Sequence, residues 1–508
     1  MGSFRWQLTC WTAVAALLGS SADPAALAQN GYRINGISAP QVLADPLASK
    51  LQDQLNNLQA TLKERSQSAS LQQALEAGLL NNPQLAAAYA QIQGQQWNLI
   101  AVRRQWYPTA SAGSNPYALG QSFSTTTQSI SQPPSSDQTT YSNATSVGRL
   151  GLNLNWTFFN PSRSANINAA SESLKRQQLL FDVSARNLAL QIQDSYFSLQ
   201  EQQQLITSYE EILAATNRQV ATTEAQFNNG LVSIADVEQI RTQQYGTLTA
   251  LINAYRQLIN ASAQVARTMA LPPGALVLSA ESLNPLGRWD EPLQATIEQA
   301  LKLREEIQAS LAAAASSSWQ ATSLFNSYWP SFSVGASGNY GSSNTTSGLP
   351  GDSVSVNSRN LNWNGGVGVG FTWQFFDGGI AAAQAEASKA VARQAKDQAA
   401  LDRLNVTQEV EVSYANYLTS LLALESTKAQ ASSARAAATA VQARFAAGVT
   451  DMASVVQTLS RAISSANEYA NAVRTYNSAV AGLYRSSARW PAETQPLLKQ
   501  RVEQLKQR

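Results

Sequence analysis

Between Asn160 and Phe227 the chain holds one proline, at its start, and no glycine, while Ile192, Leu199, Ile206, Leu213, Val220 and Phe227 recur every seventh residue. Leu174, Phe181 and Leu188 keep the same interval, one four-residue stutter out of phase. An apolar residue at every seventh place draws a stripe along a helix that coils on its neighbours, and a stutter shifts that stripe without ending it. At about 1.5 Å per residue the helix is on the order of 100 Å long. A core of ordinary dimensions cannot hold such a rod, so the fold must be elongated.

The design is written twice. Ala74 to Gly113 aligns without gaps with Thr296 to Gly335 at a shift of 222 residues, and Trp106-Tyr107-Pro108 faces Tyr328-Trp329-Pro330. Trp156-Thr157-Phe158-Phe159-Asn160 matches Trp373-Gln374-Phe375-Phe376-Asp377 at 217, and Phe227 to Gly230 matches Phe445 to Gly448 at 218. In the second copy Val410, Tyr417, Leu424, Ala431, Ala438 and Phe445 keep the seven-residue rhythm with smaller side chains. The first unit is predicted over 70–290, with strands about 107–123 and 147–159 and long helices about 160–227 and 231–270. The second is predicted over 291–488, with strands about 329–343 and 363–376 and helices about 378–446 and 450–488. Gly230 and Gly448 stop the long helices in a left-handed turn, and Ser233 or Thr450/Asp451 caps the returning helix. A Phe-x-x-Gly turn taken alone reads first as a plain helical hairpin, and its repetition at one shift makes it part of the design.

The strands alternate with period two. Leu150, Leu152, Leu154, Trp156 and Phe158 point one way and Gly151, Asn153, Asn155 and Thr157 the other; Val367, Val369, Phe371, Trp373 and Phe375 repeat the apolar face. An apolar face about ten residues long, aromatic at one end and polar behind, suits a tilted strand of a transmembrane barrel. A soluble sheet over a core has the same alternation and stays open as the alternative. Four strands do not close a barrel, for which about eight is the minimum, so copies of the chain must share one. Residues 121–146 and 341–360 read as exposed polar loops between the strands.

Charge and composition narrow the chemistry. The 35 basic and 33 acidic residues leave a net charge of +2, which gives no reason to expect nucleic acid as a partner. Arg5, the apolar stretch around Ala13 to Leu18 and Ala26-Leu27-Ala28 read as a secretory signal over 1–28, too short in its apolar part for a spanning anchor. The single cysteine, Cys10, lies inside that segment, and there is no histidine. Thiolate nucleophiles, histidine bases and the commonest zinc ligands are thereby excluded from the mature chain, and no enzyme activity, cofactor or metal is expected. Residues 29–69 have no counterpart in the second unit; Lys50 to Arg65 fits either an amphipathic helix or a flexible leader, and the tail 489–508 reads as peripheral.

The paired Tyr107-Pro108 and Trp329-Pro330 strand starts, the Trp-x-Phe-Phe-(Asn/Asp) strand ends and the Phe-x-x-Gly-(Leu/Val) tips, in duplicate order from about Ser70 to Ala488, resemble the TolC-like outer-membrane efflux proteins. The resemblance implies a membrane α+β fold: a trimeric twelve-stranded transmembrane barrel, four strands per protomer, continued by a long α-helical coiled-coil barrel in the periplasm of a Gram-negative-type bacterium. It implies an exit duct for efflux or type I secretion, working as a homotrimer in outer-membrane lipid with a periplasmic membrane-fusion adaptor and an inner-membrane transporter of RND or ABC type. By the same resemblance Phe227, Gly230, Leu231, Gly448 and Val449 form tips that meet the adaptor. Phe445, Thr450, Ser454 and Gln457 fall on the family's periplasmic gate. The gate's aspartate places hold Ser454 and Gln457 here, while Asp236 in the first unit and Asp451 one turn before Ser454 supply carboxylates; three copies of either make a ring that favours cations. A helix N-cap is the competing role for Asp451. A trimeric coiled-coil adhesin or spacer anchored by a barrel is the rival reading, and the two interleaved sets of strands and helices argue against it.

Overall fold

A computed structural model describes residues 46–114, 118–132, 135–348, 355–491 and 494–507; the signal segment expected over 1–28 lies outside them. The helix Pro46–Arg65 (α1) leads into the short strand Ser66–Ala69 (β1), helices Leu71–Asn81 (α2) and Pro83–Arg104 (α3), and strands Thr109–Gly113 (β2), Leu119–Gln132 (β3) and Ser135–Phe159 (β4). The 68-residue helix Pro161–Asn228 (α4) and its return Ile234–Thr268 (α5) follow. Strand Leu276–Ser279 (β5), helices Leu293–Leu303 (α6) and Glu305–Asn326 (α7), and strands Ser331–Gly348 (β6) and Ser355–Thr372 (β7) begin the second half. It ends with the 67-residue helix Ile380–Ala446 (α8), its return Met452–Ser486 (α9) and the helix Thr494–Gln507 (α10).

The long helices start where a polar side chain can receive their first amides. Asn160 accepts from the Ser162 amide at 3.0 Å ahead of Pro161, whose missing N–H costs nothing at that place. Asp377 accepts from the amides of Gly379 and Ala381, both at 2.8 Å. Along α4 the series Ile192, Leu199, Ile206, Leu213 and Val220 is buried, and along α8 Val410, Tyr417, Leu424, Ala438 and Phe445 are buried. The seven-residue rhythm therefore marks the packed faces of both rods.

The antiparallel sheet runs β2-β4-β6-β7, with β3 pairing the outer half of β4. Its registers repeat: Thr109 lies opposite Asn155 and Ser331 opposite Thr372, positions related by the shifts of 222 and 217. The stretches expected as loops at 121–146 and 341–360 are strand over most of their described residues. They carry no apolar alternation because both their faces are polar, and threonine pairs across strands hold them, Thr145 to Thr345 at 3.1 Å and Thr127 to Thr140 at 3.3 Å.

A belt of short elements packs on the long helices. β1 pairs in parallel with β5, and Tyr196 of α4 donates to the Ala69 carbonyl at 2.9 Å. Ser70 and Gln73 form a capping box that starts α2. Leu55 of α1 and Leu498 and Leu505 of α10 lie in the main hydrophobic core. Residues 46–69 are thus ordered structure rather than a leader, and the tail is an integral part of the belt; both find their partners far away in sequence, where local patterning carries no signal.

Candidate functional site

At the sheet end, facing residues share a face, so the registers assemble an apolar surface row by row. Leu150, Tyr340 and Trp363 form the outer row; Leu154, Ala336 and Val367 the middle one; Phe332 and Phe371 the row next to the helices, where Phe159 lies opposite Phe332 past a register shift and the Phe158 ring sits 6.3 Å from that of Phe332. Every predicted apolar residue, Leu150, Leu152, Leu154, Trp156, Phe158, Val367, Val369, Phe371, Trp373 and Phe375, is exposed on this chain. Trp373 and Phe375 lie just past the end of β7. The opposite face carries Asn153, Asn155, Ser337, Asn339 and Asn364. Between the rows of Tyr340 and Phe332 the strand covers roughly 27 Å at ~3.4 Å per residue, which at a tilt of about 35–45° spans most of the ~25 Å height of an apolar band bounded by aromatic girdles.

The seam between sheet and helices is built alike in both halves, which the sequence reading missed. The Trp156 indole donates to the Trp106 carbonyl and the Trp373 indole to the Tyr328 carbonyl, each at 2.9 Å. Each tryptophan thereby ties a strand end to the strand start beside it. Arg163, on the first turn of α4, donates to the Thr157 carbonyl at 2.8 Å and stacks on Trp106.

Midway along the helices a buried charge cluster holds the α6–α7 corner. Arg304, 4% exposed, clamps Glu306 with two bonds of 2.9 Å and reaches Glu409 of α8 at 2.9 Å and the Ser486 carbonyl of α9 at 3.2 Å. Burial pushes the Glu306 carboxyl up, but the hydrogen bonds and charge of Arg304, with Arg485, overrule it and hold it below the usual carboxylate value. Arg186 of α4 pairs with Glu305 at 2.7 Å and stacks on Trp490. Beside this pair, Asp182 is pushed up to about 6 by burial and the Glu305 charge against the pull of Arg186. A folded-state value above the ordinary 3.8 means that the proton binds the folded chain more tightly, so this stability is present in acid and lost as pH rises through about 6. Asp182→Asn is expected to raise the denaturant midpoint at pH 7.5 and to match the parent chain near pH 4, as read by helix loss in denaturant titrations; equal midpoints at both pH values would refute the strained carboxylate.

At the other end of the rods stand the two hairpin tips. Gly230 and Gly448 both sit at φ +73°, the left-handed region. The Leu231 amide donates to Gln226 and the Gly230 amide to Phe227; Val449 and Gly448 repeat this on Arg444 and Phe445. These paired bonds are the Schellman closure that satisfies the last carbonyls of a helix. The turns throw Leu231 and Val449 outward, 73% and 63% exposed. Ser233 and Asp236 form a capping box, with the carboxylate of Asp236 accepting the Ser233 amide at 2.9 Å and hydroxyl at 2.6 Å. Asp451 caps α9 by accepting from the Ser454 amide at 2.8 Å, and the Ser454 hydroxyl and amide hold its carboxyl below the usual range.

The structure brings together only part of the expected gate set. Phe445 is 5% exposed, packed with Val220, Ile240, Met452, Val455 and Leu459 in a knot that joins the two hairpins. Its ring binds the tips to one another and presents no free surface. Phe227, Thr450, Ser454 and Asp236 are half-buried, while Asp451 and Gln457 are exposed. Arg241 pins α5 to α4 just behind the tip through Glu224 at 2.9 Å.

The profile of the family described as outer membrane efflux protein matches this chain twice, over residues 74–270 and 296–489, and the chain belongs to that family. It is similar to outer membrane protein TolC of Escherichia coli (strain K12), 26% identical over 358 residues that span 65% of this chain and 72% of that one. Among solved structures it is similar to the Campylobacter jejuni CmeC outer membrane channel, with a TM-score of 0.65 and 14% identity over 85% of this chain and 89% of that one. The outer membrane protein VceC of Vibrio cholerae gives 0.62 and 17% over 82% and 95%. The family match makes the chain a TolC-family efflux protein of the outer membrane, and the solved structures share its fold.

Proposed function

We propose that three copies of this chain assemble into a passive exit duct. The observation that carries this reading is the sheet: one face apolar between two aromatic rows, the other polar, and both edges, at β7 and at β2 with β3, unpaired among the described residues. A sheet four strands wide, β2 and β3 sharing one edge position beside β4, needs with such a face lipid on one side and further strands at its edges. Three copies give twelve strands, a barrel wide enough for an aqueous lumen. The duplicated unit extends this closed wall downward, because each strand base leads into one helix, α3, α4, α7 or α8, and twelve helices make the periplasmic tunnel.

The tips are the docking end. Leu231 and Val449 present apolar contacts to a periplasmic membrane-fusion adaptor, and an inner-membrane transporter of RND or ABC type supplies the energy. Asp236 and Asp451, although used as caps, place carboxylates at the tip, and three copies of each form rings that favour cations. The adhesin alternative lacks an observation of its own, since a stalk needs only one anchor and here strands and rods alternate twice.

Planar-bilayer conductance of the detergent-purified protein tests the duct. Stable unitary steps with a cation preference are expected, and Asp236→Ala with Asp451→Ala should reduce that preference. Unchanged selectivity would remove the carboxylate rings from the proposal. A protein that stays dissolved without detergent and gives no steps would remove the duct itself.

A further inference from the structure

On the asparagine face of the sheet the side chains are sorted by height. Toward the helices the face is nearly bare, with Gly335 opposite Gly368 and Ser333 opposite Gly370. At the level of the outer aromatic row it fills, and Arg149, Asn153, Asn339, Asn360, Asn362 and Asn364 line one open cavity of about 570 Å³. Arg149 lies opposite Gly341 and Gly341 opposite Asn362, one residue outward of Leu150, Tyr340 and Trp363. Two glycines let these polar groups converge. A Cβ at Gly151 would meet Asn339 Oδ1 at 2.5 Å, so the Asn339 amide lies across the neighbouring strand. At Gly341 a Cβ would stand 3.9 Å from Arg149 Cγ, so the arginine stem leans the opposite way. Glycine weakens the interior of a strand and marks a place of close approach. Arg149 is the one charged side chain among those described on this face, since Arg359 belongs to the series of Leu361 and Trp363 on the other. The repeat does not demand it, because its counterpart at the shift of 217 is Gly366.

Resting on the duct reading above, we infer that this cavity is a binding site for oxyanions, the phosphate or carboxylate groups of a solute, at the outer mouth of the lumen. The Arg149 guanidinium supplies the charge and a planar fork of donors that matches the oxygens of either group. The amides of Asn339, Asn362 and Asn364 donate to the remaining oxygens, and their carbonyls accept from hydroxyls beside the anion. No second charge stands near to make the grip permanent, which suits a place of passage. Three copies set three such cavities around one mouth. With the carboxylates of Asp236 and Asp451 at the tips, the duct carries opposite charges at its two ends, so an anion is drawn in at the barrel and repelled at the tip.

Tripolyphosphate added to one side of single channels in a planar bilayer tests the site. From the barrel side it should block the parent protein, and Arg149→Ala should raise the half-blocking concentration about tenfold, Arg149→Lys less, because lysine keeps the charge and loses the fork. Asn339→Ala with Asn362→Ala separates a site from a bare charge: the block should weaken several-fold while ion selectivity in plain chloride salt stays that of the parent, since Arg149 remains. From the tip side the block should need more tripolyphosphate, and Asp236→Ala with Asp451→Ala should remove that difference. Steps that tripolyphosphate leaves open, or a block that Arg149→Ala leaves unchanged, would overturn the site while the duct stands. A block lost in Arg149→Ala and untouched in the asparagine variant would overturn the cavity as a site and leave a ring of charge. If steps are absent altogether the duct falls, and calorimetric titration of the detergent-purified protein with tripolyphosphate decides the site alone: binding that Arg149→Ala abolishes keeps it, and equal binding by both proteins overturns it.

Discussion

Arginine in place of Leu154 is expected to keep the chain out of the outer membrane, whereas arginine in place of the adjacent Asn155 leaves insertion intact. Leu154 lies in the row with Ala336 and Val367, two rows from the Tyr340–Trp363 girdle and two from the Phe332–Phe371 girdle. That is the depth at which a charge is most expensive, about 2–4 kcal/mol for arginine on the lipid face of a barrel, repeated in every copy. Asn155 points to the other face, opposite Gly335, where a side chain has open space. Water on that face would accept the guanidinium at little cost. Membrane-fraction yields of the two variants, compared with the parent chain, measure the asymmetry directly. Equal yields would mean that neither face meets lipid, and a reversed order would put lipid on the asparagine side.

How much of this was written in the sequence depends on whether a residue's partners repeat at a fixed interval. Ile192 and Val410 announced themselves because a helix packed along its whole length needs an apolar residue each time the same side comes round. Leu150 to Phe158 did so because one side of the strand is apolar and the other is not. The strand ends beyond Tyr340 have no such contrast: Ser342 to Thr346 are polar on both faces, so the backbone ladder continues where the pattern falls silent. Arg304 gave no warning either, since its partners Glu409 and Ser486 are distant in the chain. At the tips, spacing placed Gly230, Gly448 and the caps correctly, but the resemblance that set Phe445 at a gate could not tell an outward ring from one buried against Met452 and Leu459. Turn chemistry is local and legible; the choice of which side a ring takes belongs to packing between hairpins.

That local chemistry makes the tip glycines the sharpest test of docking. Gly448→Val should abolish export while the trimer and its conductance persist, and Gly448→Asn should keep most of the activity. Bulk does not separate the two, because a Cβ at Gly448 meets nothing within 4 Å. The backbone does: at φ +73° a β-branched residue is strained by roughly 1–2 kcal/mol, while asparagine visits this region readily. A valine there relaxes by opening the turn, which breaks the Val449 to Arg444 and Gly448 to Phe445 bonds and turns Val449 away from its outward position. The knot of Phe445, Met452, Val455 and Leu459 lies behind the turn and keeps the hairpins together, so assembly is spared. Gly230→Val should act in the same way through Leu231, and Leu231→Asp with Val449→Asp should reproduce the loss without touching the turn. Export assays beside bilayer conductance distinguish the outcomes. Full export by Gly448→Val and by the double aspartate variant would remove the tips from the docking surface, and lost conductance in either would mean that the turn governs the duct itself rather than its partner.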